Sequence, residues 1–476
     1  MTHVETPQSR CRVAFASADV TPPVGMYHRM WGAALHDRST GVHRPLAATA
    51  LWLESADGAD RQLVIGLDHC LLDRAEIDRI AARVAAATPL RPDQVHVALS
   101  HTHGSGFLSR SRSDLPGGEL IGPYLDRMAE TCGQLAAKAA AAARPATLLY
   151  GTARCSLAAH RDFPDEATGQ VVCGFNPAGP ADDTVLVAKA IADDGAVLGT
   201  VVNYACHPTT LAWENTLVSP DYVGALREVV EGQTGAPCLF LQGASGDLGP
   251  REGYVGDPAV ADRNGRQLGF VALAALEALP VSGTRFEYAG PVTSGATLGT
   301  WAHRPLDADA LAGQARWDAR RFVIELPYRP DLPTPEQTRE QLAKWQAEEQ
   351  AARAAGDTDR VRDSRAQAER MTRQLGRLAV LPPGKAYPYA VTLLRLGDAL
   401  WVLAPGELYQ AFQTTLRQRF PDAAVVVATV TDDWQPGYIP TAATYGRGIY
   451  QETIAAVAPG SLETLTDAVG RELDKL

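Results

Sequence analysis

The chain has 476 residues, 46% of them hydrophobic and 21% charged, a globular composition long enough for one large domain or two smaller ones. Its net charge of −11 argues against a nucleic-acid partner, whose phosphates require a basic surface. An apolar run of ~18 residues is absent and MTHVETPQSR is not a basic-then-apolar leader, so no stable membrane association and no secretion are expected. Seven scattered cysteines with no CxxC pair read as reduced, mostly buried thiols of a cytoplasmic protein.

Residues 12–17 read as a first strand, followed by the proline-fixed loop Ala18–Gly25. Apolar runs follow at 47–53 and 62–68, the second ending in Asp68-His69. The stretch 73–87 has helical spacing. Next comes Val95-His96-Val97-Ala98-Leu99-Ser100-His101-Thr102-His103-Gly104, an apolar strand breaking just after two histidines. Residues two apart leave the same face of a strand, so His101 and His103 can converge on one point. Residues 119–143 read as a helix, 147–150, 184–192 and 198–204 as strands, and 221–231 as a helix. The run 237–241 ends in Gln242-Gly243-Ala244-Ser245-Gly246-Asp247, and 258–278 is amphipathic. Between 331 and 378 the composition turns charged and alanine-rich. Thr334-Pro335-Glu336-Gln337 offers threonine as N-cap, proline at N1 and glutamine at N3, and two helices meet at Gly356. This hairpin reads either as a solvated insertion or as a cover over a cleft. Apolar runs at 399–404 and 423–430 end in Pro405-Gly406-Glu407 and Thr431-Asp432-Asp433-Trp434, and a helix near 460–476 closes the chain.

The order of elements predicts an α/β fold, a mixed sheet flanked by helices, as a single domain over 1–476 with the hairpin inserted. Five strand-like runs end at His101/His103, His207, Asp247, Glu407 and the loop carrying Tyr438, and ligands bind beyond the carboxyl ends of strands in open α/β sheets. Two histidines, a carboxylate and one further oxygen suit zinc, which polarises carbonyls and acidifies water. Plainer readings stand beside these. His207 before proline could cap a turn, Glu407 could sit at a helix N-terminus, and Asp247 could be an ordinary turn residue. Arg161 could be a surface salt bridge, and Asp68 and His69, which also end a strand, either support the site residues from behind or are structural.

In ADVTPPVGM (18–26), TGVHRPL (40–46), HTH (101–103), NYACHPTTL (203–211), GDLGP (246–250), APGE (404–407) and the tyrosines of 438–450, the chain resembles the catalytic domain of the neutral, non-lysosomal ceramidases and their bacterial homologues. The resemblance implies a zinc-dependent hydrolase of an amide bond with His101, His207, Glu407 and Tyr438 as metal ligands. It also implies His103, Arg161 and Tyr450 on the substrate carbonyl, with Asp247 as general base. Gly249 stands where the family usually has a serine, so a serine nucleophile at 249 is excluded and attack by zinc-activated water is preferred. His101-Thr102-His103-Gly104-Ser105 replaces HTHSG, and neither a leader nor a C-terminal immunoglobulin-like domain is seen. These departures favour a small N-acyl or peptide-like metabolite over a membrane lipid. The same site could also open an ester or lactone, or run backwards as an amide-forming acyltransferase. From another class, the chain could be a zinc-holding binding protein without turnover.

Overall fold

The computed structural model describes residues 2–476. Strands β1 (Gln8–Asp19), β2 (Ala47–Glu54) and β3 (Arg61–Leu67) form an antiparallel meander, and α1 (Arg74–Ala87) crosses to β4 (Val95–Leu99). Helix α2 (Ile121–Ala142) returns to β5 (Arg144–Arg154) on the other side of β1, and β6 (Thr184–Ala192) and β7 (Val197–Tyr204) extend that side. Helix α3 (Tyr222–Thr234) then crosses to β8 (Cys238–Gln242), and α4 (Pro258–Glu277) lies beside α3. The spatial order is β8-β7-β6-β5-β1-β2-β3-β4, with only the edge pairs β7/β8 and β3/β4 parallel.

A second sheet follows, so two sheets carry the fold where one was expected. An exposed hairpin of β9 (Thr284–Ser294) and β10 (Ala296–Pro305) precedes β11 (Trp317–Pro327). The helical hairpin, α5 (Pro335–Ala355) and α6 (Thr358–Val380), separates β11 from β12 (Ala386–Leu396) and β13 (Ala399–Leu403). Thr334 and Gln337 close the capping box of α5, and Gly356 ends it in the left-handed region. Helix α7 (Ala411–Arg419) crosses to β14 (Ala424–Ala428), giving the order β11-β12-β13-β14, and α8 (Ser461–Leu473) covers the outer face.

Alternation along the strands explains the layering. Leu51, Leu53, Val64 and Ala98 face Leu394, Trp401 and Val426 of the second sheet, while Ala50, Trp52, Ile65 and Val97 face Ile77, Ile80, Leu125 and Met128 of α1 and α2. The first sheet curls until its edges meet. Leu239 of β8 lies so close to Gly66 of β3 that a Cβ there would collide with the leucine side chain. The chain leaving β14 fills the seam. Thr429 N–H donates to Gln242 O at 2.8 Å, and Asp432 N–H donates to Val97 O at 2.9 Å. The three parallel pairs β3/β4, β7/β8 and β13/β14 therefore end side by side. No helix among the described residues is long and apolar enough to cross a membrane, and all seven cysteines are free.

Because that closure depends on a missing side chain, Gly66→Val is expected to lower stability by about 1–3 kcal/mol through overpacking. Urea unfolding followed by circular dichroism measures it.

Candidate metal centre and active site

His101, His207 and Glu407 each stand within four residues of the end of a strand in one of those pairs. His101 follows β4 with φ +66°, a left-handed conformation rare outside glycine, and its N–H donates to His69 O at 2.9 Å. Its ring donates from Nδ1 to Cys70 O at 2.9 Å. His207 follows β7, and its Nδ1 donates to Ser245 O at 2.8 Å. Glu407 opens the two-residue strand Glu407–Leu408, which pairs in parallel with Tyr438–Ile439, so residues 407 and 438 are register partners. Gly406 makes the turn before it at φ +73°, where a Cβ would sit 2.8 Å from Gly437 O.

The carbonyl partners fix both tautomers, since a carbonyl only accepts. With Nδ1 protonated in each ring, the Nε2 lone pairs of His101 and His207 face one another at 3.2 Å. Glu407 Oε2 lies 3.3 Å from the first and 3.0 Å from the second. Tyr438 Oη is 3.3 Å from His207 Nε2. Three buried acceptors with no donor among them repel unless a proton or a cation sits between them. As a bare cluster they hold one proton on His101. Burial opposes its charge, but Cys70 and Glu407 together carry its pKa well above the usual imidazole range. Burial, aided by the Arg161 charge, pushes His207 down to about 3. The same spacing fits a metal. Bonds of about 2.0–2.1 Å in a tetrahedral zinc site put neighbouring ligand atoms about 3.3 Å apart.

His103 lies beside the cluster, its ring 5.1 Å from that of His101, with Nε2 buried and unpartnered. Burial, then the neighbouring histidines, hold it neutral, far below the usual imidazole range. Arg161 is 3% exposed rather than a surface ion pair. Its Nη2 donates to Gly246 O at 2.6 Å, its guanidinium lies 5.2 Å from the Tyr438 ring centre, and Nε has no partner. Tyr450 is 48% exposed, its ring 6.0 Å from that of Tyr438, at the mouth of the cleft. Asp247 is not drawn into the cluster. Both carboxylate oxygens accept from Gln410, from N–H and Nε2 at 2.8 Å each, and no histidine of the cluster reaches it at ion-pair distance. Burial raises its pKa. At Gly249 a Cβ would find Thr209 Oγ1 at 3.8 Å and Arg161 at 3.9 Å, ordinary contact. Asp68 and His69 stand outside the cluster, though His69 O holds the His101 N–H. Asp68 pairs with Arg227 at 2.8 and 2.9 Å, and His69 Nε2 meets Tyr124 Oη at 2.6 Å.

Several contributors escaped the sequence reading. Trp31 lies tilted at 39° with its ring centre 5.1 Å from that of His103, and meets Trp213 and Tyr254 edge-on, an aromatic group beside the cluster. Cys70 and Ser245 act through backbone carbonyls, which leave no mark on residue type. Cys70 does follow Asp68-His69 at a strand end, the signal that picked out the other sites.

No protein-family model matches the chain. A 254-residue stretch, 50% of the chain, is 23% identical to neutral ceramidase of Pseudomonas aeruginosa and covers 37% of that protein's length. The solved structure of that enzyme superposes with a TM-score of 0.66 over 98% of this chain and 74% of its own, at 16% identity. The fold is that of neutral ceramidase. A ceramidase structure described as complexed with C2 gives 0.65 over 97% and 74%. This chain thus has a neutral ceramidase-like fold, and it spans little more than a third of the length of that curated relative in the aligned stretch.

Removal of one imidazole from the cluster is expected to abolish stoichiometric zinc retention. His207→Ala dialysed against zinc should hold less than a tenth of the metal of the parent, read by elemental analysis.

Proposed function

We propose that this protein is a zinc-dependent hydrolase of a C–N (amide) bond in a small N-acyl or peptide-like metabolite, working in the cytoplasm. The observation that carries this reading is the convergence of two Nε2 lone pairs and one carboxylate oxygen at 3.0–3.3 Å. His101, His207 and Glu407 hold the cation, with Tyr438 as a further ligand. Zinc bound there supplies Lewis acidity and lowers the pKa of a bound water.

The chain's own residues do the rest. Neutral His103 and the Tyr450 hydroxyl donate to the substrate carbonyl oxygen, and Arg161 meets the negative charge growing on it. Such fixed donors stabilise a tetrahedral intermediate most where water is excluded. Asp247 takes the proton of the attacking water as the C–O bond forms and returns it to the nitrogen as the C–N bond breaks, so that an acid and an amine leave. Its oxygens keep lone pairs beyond those given to Gln410, and burial makes it more basic than an exposed aspartate. The aromatic group of Trp31, Trp213 and Tyr254 receives the acyl or amine part. Seven free thiols suit a reducing compartment.

Zinc-loaded protein should release amine from a panel of N-acyl amides. Zinc bound without turnover of amides, esters or lactones would make it a binding protein. Asp247→Asn should lower kcat by about 10²–10⁴-fold. It should also remove an acid limb in kcat/KM that lies above the ordinary carboxylate range, because a base with a raised pKa stays protonated to higher pH. Gly249→Ser, which the site has room for, should change kcat less than tenfold, whereas a large gain would point to a serine nucleophile.

A further inference from the structure

Helix α6 packs against the segment that carries Trp31. Ala366 packs on Gly32, and Arg365 pairs with Asp37 at 2.5 Å. Arg112 forks onto Glu369 at 2.8 and 3.0 Å, and Arg373 holds both Glu369 at 2.7 Å and Met30 O at 2.6 Å. The next residue, Trp31, is the one whose ring lies 5.1 Å from that of His103.

This seam gathers five arginines, 29, 112, 365, 373 and 377, of which three have the carboxylates just named. Arg29 is met by the carbonyls of Gly32 and Arg365. Arg377 is 8% exposed and has neither. Its Nη2 bonds to the Gln374 side chain and its Nε has no partner. Arg377 is within electrostatic reach of Tyr450 and Glu407, and also of Arg373 and Arg370, whose like charge opposes its own. Burial lowers its pKa to about 10, so it remains a cation at neutral pH. A buried guanidinium without an anion is unfavourable, and its planar fork matches a carboxylate.

We infer that Arg377 is an anion-recognition residue of the cleft and that the amide substrate carries a carboxylate, as an N-acyl amino acid does. The inference rests on the hydrolase reading above and supplies its substrate class. A neutral amide would leave the guanidinium buried and unpaired.

The test compares kcat/KM for N-acetylphenylalanine, N-succinylphenethylamine and N-acetylphenethylamine, which carry the carboxylate on the amine side, on the acyl side or nowhere. Wild-type zinc enzyme should favour one carboxylated amide over the neutral one at least tenfold, and the winner identifies the side. Arg377→Gln should cut that ratio tenfold or more, chiefly through KM, and Arg377→Lys should restore part of it. Arg339→Gln on α5 is the exposed control. A neutral amide used equally well, or a ratio that survives Arg377→Gln in a folded variant, would overturn the inference while leaving the hydrolase reading intact. If none of the three is turned over, the hydrolase reading fails for this class. Titration calorimetry then decides the anion site. Tighter binding of a carboxylated compound, lost in Arg377→Gln, supports it, and equal binding refutes it.

Discussion

Three ligand atoms pointing at one spot, with a single proton or a cation to share, govern the architecture of this molecule. Two imidazoles and a carboxylate held within 3.3 Å would repel one another, in a site that water cannot screen, without that shared proton or cation. They stay there because each is gripped from behind. Cys70 O and Ser245 O anchor the two rings, and the Glu407 backbone is zipped to Tyr438. The grip requires unusual backbone, with His101, Val430 and Asp432 all at positive φ, Val430 despite its branched Cβ. Strain of this kind persists only where the surrounding structure over-determines it, as the seam between β4, β8 and β14 does.

That seam exists because the first sheet curls and the second inserts its edge. The antiparallel interior of the large sheet is scaffold, and His101, His207 and Glu407 all follow strands of the three parallel pairs. In a parallel pair joined by a crossover helix both strands finish at the same end, so each contributes a loop there. Edge-to-edge closure then stacks three such ends together, and residues up to 306 positions apart meet, from His101 to Glu407.

Around this core the electrostatics divide into two zones. Arg161 is wholly buried behind Tyr438 and bound only through a carbonyl, positive charge kept in reserve beside the cluster. Across the cleft, the hairpin adds a second basic zone around Glu369. The hairpin is therefore anchored by buried ion pairs on its inner helix, while α5 stays polar and largely exposed.

Much was legible in the sequence because it is local. Hydrophobic period located α1 to α4, Thr334 to Gln337 spelled a capping box, and strand-ending His101, His207 and Glu407 stood out against apolar runs. Strands β9 to β12 were not read, since their outward faces are polar or interrupted by glycine and proline. The sequence by itself determined which residue types are available at the strand ends, since type and period are properties of short windows. Only the tertiary structure decided that the sheet has a partner, that Asp247 turns to Gln410, and that Arg377 is left without a carboxylate. Those outcomes depend on which distant backbone carbonyls and charges arrive beside a side chain, and no local pattern encodes that.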